Sequence, residues 1–544
     1  MAQISYRANL SSAIFPMTLA RAGRSVIIPG PDQNFDRRVD PAGEQKDAGI
    51  PQVIYMENVL PTANGYQSVA FDLMEAGTLP YADMAIFELK IPGAAYPEIL
   101  AIRSGGVGSQ AYRLYLDTWV PISFVGTSGV MTSEDEFSYA VVKGVVYVYY
   151  DKYLYTYAIA GGFTGTLTNI TATVTPAGIM NNVRGIAGAY NYLILLDSAA
   201  VATIYWSSTI SAIDFAPSLI TGAGSTGVSN VQGQARFMRA SPSGFFIYTD
   251  NNVISVKYTG NARYPWRFTP IQDTIGVQHP WEVYSDTDES YQYAINRVSG
   301  VRRVNENISD AVAPEISEYL ERSFSFDDFN YTLDTFEVRP RTSSTEDTYR
   351  IYLYASRYIF ISYRERTVSG LPGLYDTAFV YDLQLNRYGK IRRRHSHIIT
   401  CQRSFTGKFV VGLVDNFART LTNVILDITL ADQFESKGVI LLGKFQYVRS
   451  RDLCLDELSI ESGQVVDSTV GPQPYPGNFH VRTFPTSNGK DFLPAQTPYY
   501  RTDDSSAVVG NYFCRTEGRN VSVLIKGAFD LCSVELTFHV GGNL

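Results

Sequence analysis

The sequence predicts an all-β protein whose central part is a β-propeller of six or seven blades. Its 38 Tyr and 29 Phe, against 8 Met and 4 Trp, favour strands, because aromatic side chains suit a pleated, half-buried surface. Its 43 Gly and 25 Pro supply the residue types that turns between strands require. The third observation is a strand–turn–strand unit that recurs at intervals of about 45–55 residues.

Each unit has the form of a β-hairpin, with two short apolar strands joined by a tight polar turn. The clearest copy runs from Val145 through a turn at Asp151 to Tyr157. The other copies lie at Ile99–Leu116, Tyr192–Trp206, Phe245–Tyr258, Tyr291–Ile295, Tyr358–Tyr363 and Lys408–Leu413. Because the units repeat one pattern, they favour propeller blades over stacked sandwiches, which are the alternative. The longer interval between Tyr293 and Phe360 leaves open a degenerate blade or an insertion.

The two flanks differ from the repeat region and predict a second domain. We expect the propeller to span residues 85–430, and the flanks 1–84 and 431–544 to form a β-rich platform beside it. The N-terminal flank is rich in Gly, Pro and charged residues, whereas the C-terminal flank resumes strand patterns. Segment 471–500 is rich in Pro, Gly and Tyr, which predicts a long loop.

The charge and hydropathy of the chain argue against two classes of protein. The net charge of −8 differs from that of a typical nucleic-acid binder, whose basic surface neutralises phosphate. An acidic wall still suits the passage of DNA, because repulsion prevents the ion pairs that would hold the duplex in place. No apolar run reaches the about 20 residues of a membrane-spanning helix, so we expect no stable membrane insertion.

The sequence offers little for catalysis or metal binding. It contains no phosphate-binding glycine loop with a lysine and no serine-nucleophile elbow. His395 and His397 would place two rings on one strand face, but no third ligand is suggested nearby, so we expect a solvated strand face. The cysteines, which have no zinc-type spacing, are Cys401, Cys454, Cys514 and Cys532. We therefore predict no catalytic, cofactor or metal site, and a protein that is not an enzyme.

A basic run, Lys390, Arg392, Arg393 and Arg394, is the candidate interface of the chain. One interpretation is a charged edge strand that prevents sheet-to-sheet aggregation. The other is a docking surface for an acidic neighbouring subunit, or a contact with a DNA backbone. Alternation along a strand would send Arg392 and Arg394 to one face of the sheet and Arg393 to the other.

Two of the four tryptophans, Trp206 and Trp266, are expected to be structural anchors. Trp206 ends one of the hairpin units, and Trp266 follows Pro265. An indole ring buries a large apolar area, so a tryptophan in a strand-rich region favours a place in the core.

Several short motifs along the chain occur together in one group of viral proteins. They are Tyr205–Ser208, Gly222–Ser225, Gly244–Asp250, Val256–Gly260, Tyr264–Phe268, Arg387–Lys390 and Glu517–Ser522. In their order and combination, they resemble the tail nozzle proteins of short-tailed phages, which are related to packaged-DNA stabilisation proteins. The resemblance extends from about residue 56 to the C-terminal residues, and it depends on the order and co-occurrence of the motifs.

The resemblance implies a structural role in the virion tail. A nozzle protein forms a homo-hexamer, in which each subunit has a propeller and a platform. The ring closes the distal tail tube, retains packaged DNA and lets double-stranded DNA exit through the lumen on infection. Its partners would be a tail adaptor protein above it, and tail fibre, spike or needle proteins. The family offers no catalytic residues to carry over.

A second hypothesis belongs to a different class. A propeller can also be a receptor-binding or glycan-binding tail protein, or a glycosidase with two carboxylates across a central pocket. The repeated Asp motif of sialidase-type propellers is not evident in this sequence. The two hypotheses differ in symmetry, because only the nozzle requires a six-fold ring.

Overall fold

Strands make up nearly all the regular structure of the computed structural model. The all-β class predicted from composition is therefore confirmed. The residues that the structure describes are 3–10, 26–28, 53–76, 78–91, 96–103, 110–116, 118–160, 164–198, 201–261, 264–271, 276–286, 289–296, 298–314, 316–317, 325–330, 335–340, 349–364, 374–402, 409–426, 434–436, 438–447, 453–462, 466–467, 471–472, 479–486, 499–500, 509–518, 520–527 and 529–540.

Six strands belong to the described residues of the N-terminal part. They are β1 (Gln3–Asn9), β2 (Val26–Ile28), β3 (Val53–Glu57), β4 (Val59–Pro61), β5 (Tyr66–Ser68) and β6 (Ala70–Ala76). The first five lie in two sheets that also contain C-terminal strands, and β6 lies in a propeller sheet.

Blades 1 to 4 follow in chain order, and each is a separate sheet. Blade 1 consists of β7 (Met84–Leu89), β8 (Glu98–Arg103), β9 (Ala111–Tyr115) and β10 (Thr118–Pro121). Blade 2 consists of β11 (Ser123–Val125), β12 (Ser138–Val142), β13 (Val145–Tyr150), β14 (Tyr153–Ala160) and β15 (Thr164–Asn169). Blade 3 consists of β16 (Val183–Ala189), β17 (Tyr192–Asp197), β18 (Thr203–Trp206) and β19 (Gly224–Gly227). Blade 4 consists of β20 (Ala235–Ser241), β21 (Gly244–Thr249), β22 (Val253–Tyr258) and β23 (Trp266–Pro270).

Blades 5 to 7 complete the repeat. Blade 5 consists of β24 (Val283–Ser285), β25 (Gln292–Asn296), β26 (Gly300–Val304) and β27 (Ser309–Ala313). A separate hairpin, β28 (Ser325–Asn330) and β29 (Thr335–Pro340), follows it and occupies the long interval noted in the sequence. Blade 6 consists of β30 (Arg350–Tyr354), β31 (Tyr358–Tyr363), β32 (Tyr375–Asp382) and β33 (Arg387–His395). Blade 7 contains β34 (His397–Gln402), β35 (Phe409–Asp415), β36 (Thr420–Ile425), β6 and β37 (Phe434–Ser436).

The remaining strands belong to the C-terminal part. They are β38 (Gly438–Tyr447), β39 (Leu453–Ser462), β40 (Val466–Asp467), β41 (Gly471–Pro472), β42 (Phe479–Thr486), β43 (Tyr499–Tyr500), β44 (Val509–Gly518), β45 (Asn520–Gly527) and β46 (Asp530–Val540). Four short 3₁₀ turns are Glu134–Glu136, Thr171–Thr173, Ile179–Asn182 and Pro280–Glu282.

The seven blades close into a circle, because each neighbouring pair shares an apolar core. Between blades 1 and 7, for example, Ile99 and Trp119 share one core with Ile399 and Leu421. A lone four-stranded sheet would leave both faces in water, so radial packing is what makes each blade stable. The predicted propeller is confirmed, and the described part of the chain has seven blades rather than six.

The circle is closed by a strand from the N-terminal flank. In blade 7, β6 lies between β36 and β37, with Phe71 paired to both Val424 and Glu435. The expected boundaries therefore need correction, since Ala70–Ala76 lies within the predicted flank 1–84 and β37 lies beyond residue 430. Pairing the start of the chain with its last blade puts backbone hydrogen bonds across the seam of the circle.

The described part of the platform contains two large sheets and the short hairpin β40-β41. In one, the order β5-β46-β39-β44-β43 is extended by β1, and in the other β38 and β45 pair with β2, β3 and β42. The predicted loop 471–500 was wrong over part of its length, because Phe479–Thr486 is a strand paired with β45. Val481 and Phe484 of this strand are buried. The Pro and Gly residues on both sides of the strand made its apolar residues difficult to recognise in the sequence.

The two expected anchors lie together in the core between blades 3 and 4. The ring centroids of Trp206 and Trp266 are 6.5 Å apart, and Trp266 also contacts Phe245 at 5.3 Å and Tyr258 at 5.5 Å. The indole Nε1 of Trp206 donates to the carbonyl oxygen of Gly222 at 2.7 Å. Both side chains therefore join one blade to the next.

We expect Trp266→Ala to lower the free energy of unfolding by about 3–5 kcal/mol, because the cavity would open between two blades. Denaturant unfolding followed by circular dichroism measures the change. The matched control is Tyr264→Ala, two residues earlier, whose side chain is 66% exposed. That substitution should change stability by less than about 0.5 kcal/mol. Equal stability of the two variants would contradict the anchoring role of Trp266.

Candidate functional site

The innermost strand of each of the seven blades lies beside a central channel, which is the candidate functional site. These strands are β12 in blade 2 and, in the other blades, β7, β16, β20, β24, β30 and β34. The cavity inside has a volume of about 250 Å³. Apolar residues such as Ile86 and Phe137 line it together with charged side chains. Charged groups in so small a space must be paired or hydrogen-bonded to be tolerated.

One charged group in the channel that is paired with a cation is Glu134, which lies in the 3₁₀ turn before β12. Its Oε2 accepts a hydrogen bond from Arg350 Nη2 at 2.5 Å, and its Oε1 accepts one from His397 Nε2 at 2.9 Å. Arg350 begins β30 and His397 begins β34, so the cluster joins blades 2, 6 and 7.

The protonation states of this cluster follow from its surroundings. Burial alone would raise the pKa of Glu134, but the charge of Arg350 and the hydrogen bonds from Arg350 and His397 outweigh it and hold that pKa well below its ordinary value. Burial lowers the pKa of His397, and the Arg350 guanidinium lowers it further. At neutral pH the imidazole of His397 is therefore neutral and donates one N–H to an ionised Glu134.

A second carboxylate, Glu88 on β7, has only neutral donors around it. It accepts hydrogen bonds from Tyr284 Oη at 2.6 Å, Tyr352 Oη at 2.9 Å and the backbone N–H of Thr400 at 3.0 Å. Burial raises the pKa of Glu88 and lowers that of Lys90, two residues along the strand. Lys90 Nζ donates to the carbonyl oxygens of Ser285 and Asp286, which blade 5 supplies.

The predicted basic run lies elsewhere, on β33 at the junction of blade 6 with the platform. Lys390 is only 5% exposed and lies near the rings of Tyr55 and Phe379. Arg392 is buried in an ion pair with Glu57, 2.8 Å away. Neither side chain is available to a DNA backbone, which corrects that expectation for these two residues.

The other two arginines of the run also have contacts within the chain. Arg393 lies over the ring of Phe71 at 5.0 Å, and burial lowers its pKa. Arg394 is exposed but forms an ion pair with Asp415. The four residues therefore do not form one basic surface.

His395 and His397 are buried, so the predicted solvated strand face was wrong. His395 Nδ1 donates to the Arg393 carbonyl at 2.7 Å, which leaves Nε2 to accept from Ser362 Oγ at 2.8 Å. A serine beside a histidine suggests a nucleophile and its base, but both side chains are 0% exposed. No substrate can reach this pair, so its role is structural.

The described residues contain no group of three or more side chains that could hold a metal ion. Within the same residues, no helix is long and apolar enough to cross a membrane.

Two solved structures illustrate what the chain is similar to. One is the WD40 β-propeller domain of Doa1, with 11% identity, a TM-score of 0.34, and coverage of 65% of this chain and 97% of that chain. The other is Kluyveromyces lactis Hsv2, with 9% identity, a TM-score of 0.27, and coverage of 57% and 86%. Similarity at this level carries no argument about function. Comparisons with protein-family models and with curated protein sequences find no match.

Sequence reasoning singled out His397, but it did not identify Glu88, Glu134, Arg239 or Arg350 as residues of a site. The available signal was a charge within an otherwise apolar strand, since Glu88 interrupts the run Met84-Ala85-Ile86-Phe87 before Leu89. A carboxylate at such a position requires partners from other strands. The sequence alone does not identify those partners, because they come from blades 5, 6 and 7.

We expect Arg350→Met to lower the free energy of unfolding by about 3–5 kcal/mol, because it leaves Glu134 charged and enclosed without its main partner. Arg303→Met is the matched control, since Arg303 and its partner Asp310 have side chains that are 41% and 46% exposed. That change should cost less than about 1 kcal/mol. A similar loss in both variants, measured by denaturant unfolding, would show that the channel pair contributes no more than a surface pair.

We expect the stability of the protein to fall as the pH is lowered from 6.5 to 4. Burial lowers the pKa of His395 from 6.5 to about 4, so in this range the unfolded chain binds a proton that the folded chain does not. The loss attributable to this one group is about 3 kcal/mol. Thermal unfolding across the pH series should show a flatter slope for His395→Gln. The control His480→Gln, at an exposed position, should keep the wild-type slope.

Proposed function

We propose that this chain is a structural subunit of a short phage tail, a nozzle protein that assembles into a homo-hexameric ring. In the virion, the ring closes the distal end of the tail tube, retains the packaged double-stranded DNA and lets it exit on infection. Its partners are the tail adaptor protein above it, and tail fibre, spike or needle proteins. The chain acts through its shape and contacts and is not an enzyme.

The observation that carries this proposal is the continuous sheet between blade 6 and the platform. Lys390 of β33 pairs with Val59 of β4, so the blade and the platform belong to one eleven-stranded sheet. The Arg392–Glu57 ion pair is buried at the same junction. A subunit that holds DNA under pressure must not bend between its two parts, and a shared sheet resists such bending.

Further contacts stiffen this junction. Arg387 donates to the Leu10 carbonyl at 2.8 Å and to the Thr62 carbonyl at 3.1 Å, so it ties blade 6 to two N-terminal segments. Its guanidinium also lies 4.3 Å from the ring centroid of Tyr66. These are charge-assisted and cation–π contacts, which are among the stronger polar contacts in proteins.

In the proposed ring, DNA passes between the subunits and not through the propeller channel. The cavity of about 250 Å³ in that channel is of the size of a small-molecule site and too small for a duplex. The charged pairs inside the channel also connect several blades, so they oppose its widening. The net charge of −8 suits a lumen that repels the DNA backbone.

An exposed apolar patch on blade 3 is the proposed contact between subunits. Its members Ile210, Leu219 and Ile220 are 76%, 84% and 93% exposed. All three lie in the connection between β18 and β19, whose two ends are joined because the Thr209 N–H donates to the Thr221 carbonyl at 2.9 Å. Exposed aliphatic patches are typical of interaction sites, and a closed ring repeats one such contact between every pair of neighbours.

Electron microscopy and analytical ultracentrifugation of the purified chain test the proposal. We expect six-fold rings for the wild type, and subunits for the double variant Leu219→Asp/Ile220→Asp, because two charges would be forced into the contact. The melting temperature should not change, since both side chains are exposed. Val298→Asp, at a site on blade 5 that is 70% exposed, is the control and should retain rings.

The outcomes separate the two functions. A wild-type chain that remains monomeric or trimeric and binds cell-surface glycans would replace the nozzle with the receptor-binding or glycan-cleaving alternative. Rings that persist in the double variant would move the subunit contact to another surface while leaving the ring proposal intact.

One observation favours that alternative. Glu88 and Glu134 line the same cavity, and their pKa values are shifted in opposite directions. Glycosidases use two carboxyl groups with different pKa values, one as the acid and the other as the base or nucleophile. Release of sugar from a glycan by the monomeric chain would decide for this function.

A further inference from the structure

The hydrogen-bonding groups of the central channel are unbalanced. Among its described lining residues, three side-chain nitrogen atoms are buried without an acceptor: Arg239 Nε, Trp281 Nε1 and Arg350 Nε. No buried side-chain oxygen in that set lacks a hydrogen-bond partner. Buried donors without acceptors are costly, so a cavity with this composition favours a ligand that accepts hydrogen bonds.

The three side chains that carry these donors lie at or beside the 3₁₀ turn Pro280–Glu282. Arg239, on β20 of blade 4, donates through Nη2 to the Pro280 carbonyl at 2.8 Å. The Arg350 guanidinium, from blade 6, lies 5.4 Å from the ring centroid of Trp281. The indole is held by the His279 ring, which stacks on it at 4.6 Å with an angle of 5°. Two cations and an N–H donor are therefore brought together by three blades.

Arg239 differs from the other arginine in its charge partners. Arg350 is neutralised by Glu134, whereas no carboxylate in the described part of the chain lies within 4.0 Å of Arg239. Burial lowers the pKa of Arg239, yet a guanidinium remains protonated in proteins. An enclosed cation without a nearby counter-charge is a binding site for an anion.

Glu88 and Glu134 do not serve as that counter-charge, because both are already engaged by other donors. Glu88 already accepts three hydrogen bonds, and Glu134 accepts from Arg350 and His397. Glu289 also lines the cavity, and its charge acts on both Arg239 and Lys90 from a distance. It is the group with which a bound anion would compete.

The size of the cavity limits the ligand. A volume of about 250 Å³ is below the about 300 Å³ of the smallest ordinary ligand pockets. The ligand is therefore a monosaccharide or smaller. The rings of Phe137, Tyr139 and Tyr284 supply apolar contact around the polar end.

We propose that the channel binds a small oxyanion, a carboxylate or phosphate group, whose oxygens accept hydrogen bonds from Arg239, with further donors from Trp281 and Arg350. The site is independent of ring assembly, because every residue in it comes from one subunit. Its ligand is carried either by a sugar acid or by free phosphate, since both present the same acceptor chemistry.

Isothermal titration calorimetry of the full chain tests this site in a buffer without other oxyanions. The probes are glucuronate, inorganic phosphate and, as the neutral match to glucuronate, glucose. We expect glucuronate or phosphate to bind, and the one that binds identifies the source of the oxyanion. Glucose should bind at least about tenfold more weakly than glucuronate, because it lacks the charge that Arg239 recognises.

Two variants link the binding to the named residues. Arg239→Met should weaken binding about tenfold or more, whereas the control Arg236→Met, on the same strand, should leave it unchanged because Arg236 pairs with Asp250 outside this cavity. Glu289→Gln removes the competing charge and should tighten binding. This gain in affinity also tests the site if Arg239→Met does not fold. Absence of binding by both anions, or binding unaffected by Arg239→Met and Glu289→Gln, would overturn the proposal.

Discussion

The apolar faces of neighbouring blades cover one another, and the whole structure depends on this mutual burial. No blade has a stable core of its own, so the seven shared cores form together around the circle. At the join between blades 7 and 1, the last blade meets the first one. This join is strengthened by β6, which brings backbone pairing from the other end of the chain into the last blade. Closure thus combines apolar packing with a hydrogen-bonded seam.

The same closure explains the polar centre. The innermost strands of the blades lie around the axis, and their side chains line a narrow cavity. Charged residues there pair across blades, as Glu134 does with Arg350 and His397, so each pair fixes the relative position of distant segments. Unlike the apolar cores between blades, the channel has specific hydrogen-bonding directions. The excess of buried donors over acceptors in the channel therefore determines which ligands can bind there.

The sequence predicted the structural features that depend on one short segment, and it did not predict those that depend on contacts between distant segments. The hairpin from Val145 to Tyr157 was evident, because its alternation and its turn lie within one short segment. Strand β42 was missed, since Pro and Gly on either side obscured its alternation. The positions of Lys390 and Arg392 could not be read from their own strand. Their burial depends on strands β3 and β4, more than 300 residues away. The channel site was hidden for the same reason.

The position of β6 also affects how the chain folds while it is being synthesised. This strand is translated early, but its first partner, β36, begins at Thr420. At about 5–20 residues per second, roughly 17–70 s separate the two. During that interval an open strand edge is available to other chains, which is a hazard for aggregation. The propeller of the nascent polypeptide therefore closes only after most of the chain has left the ribosomal tunnel.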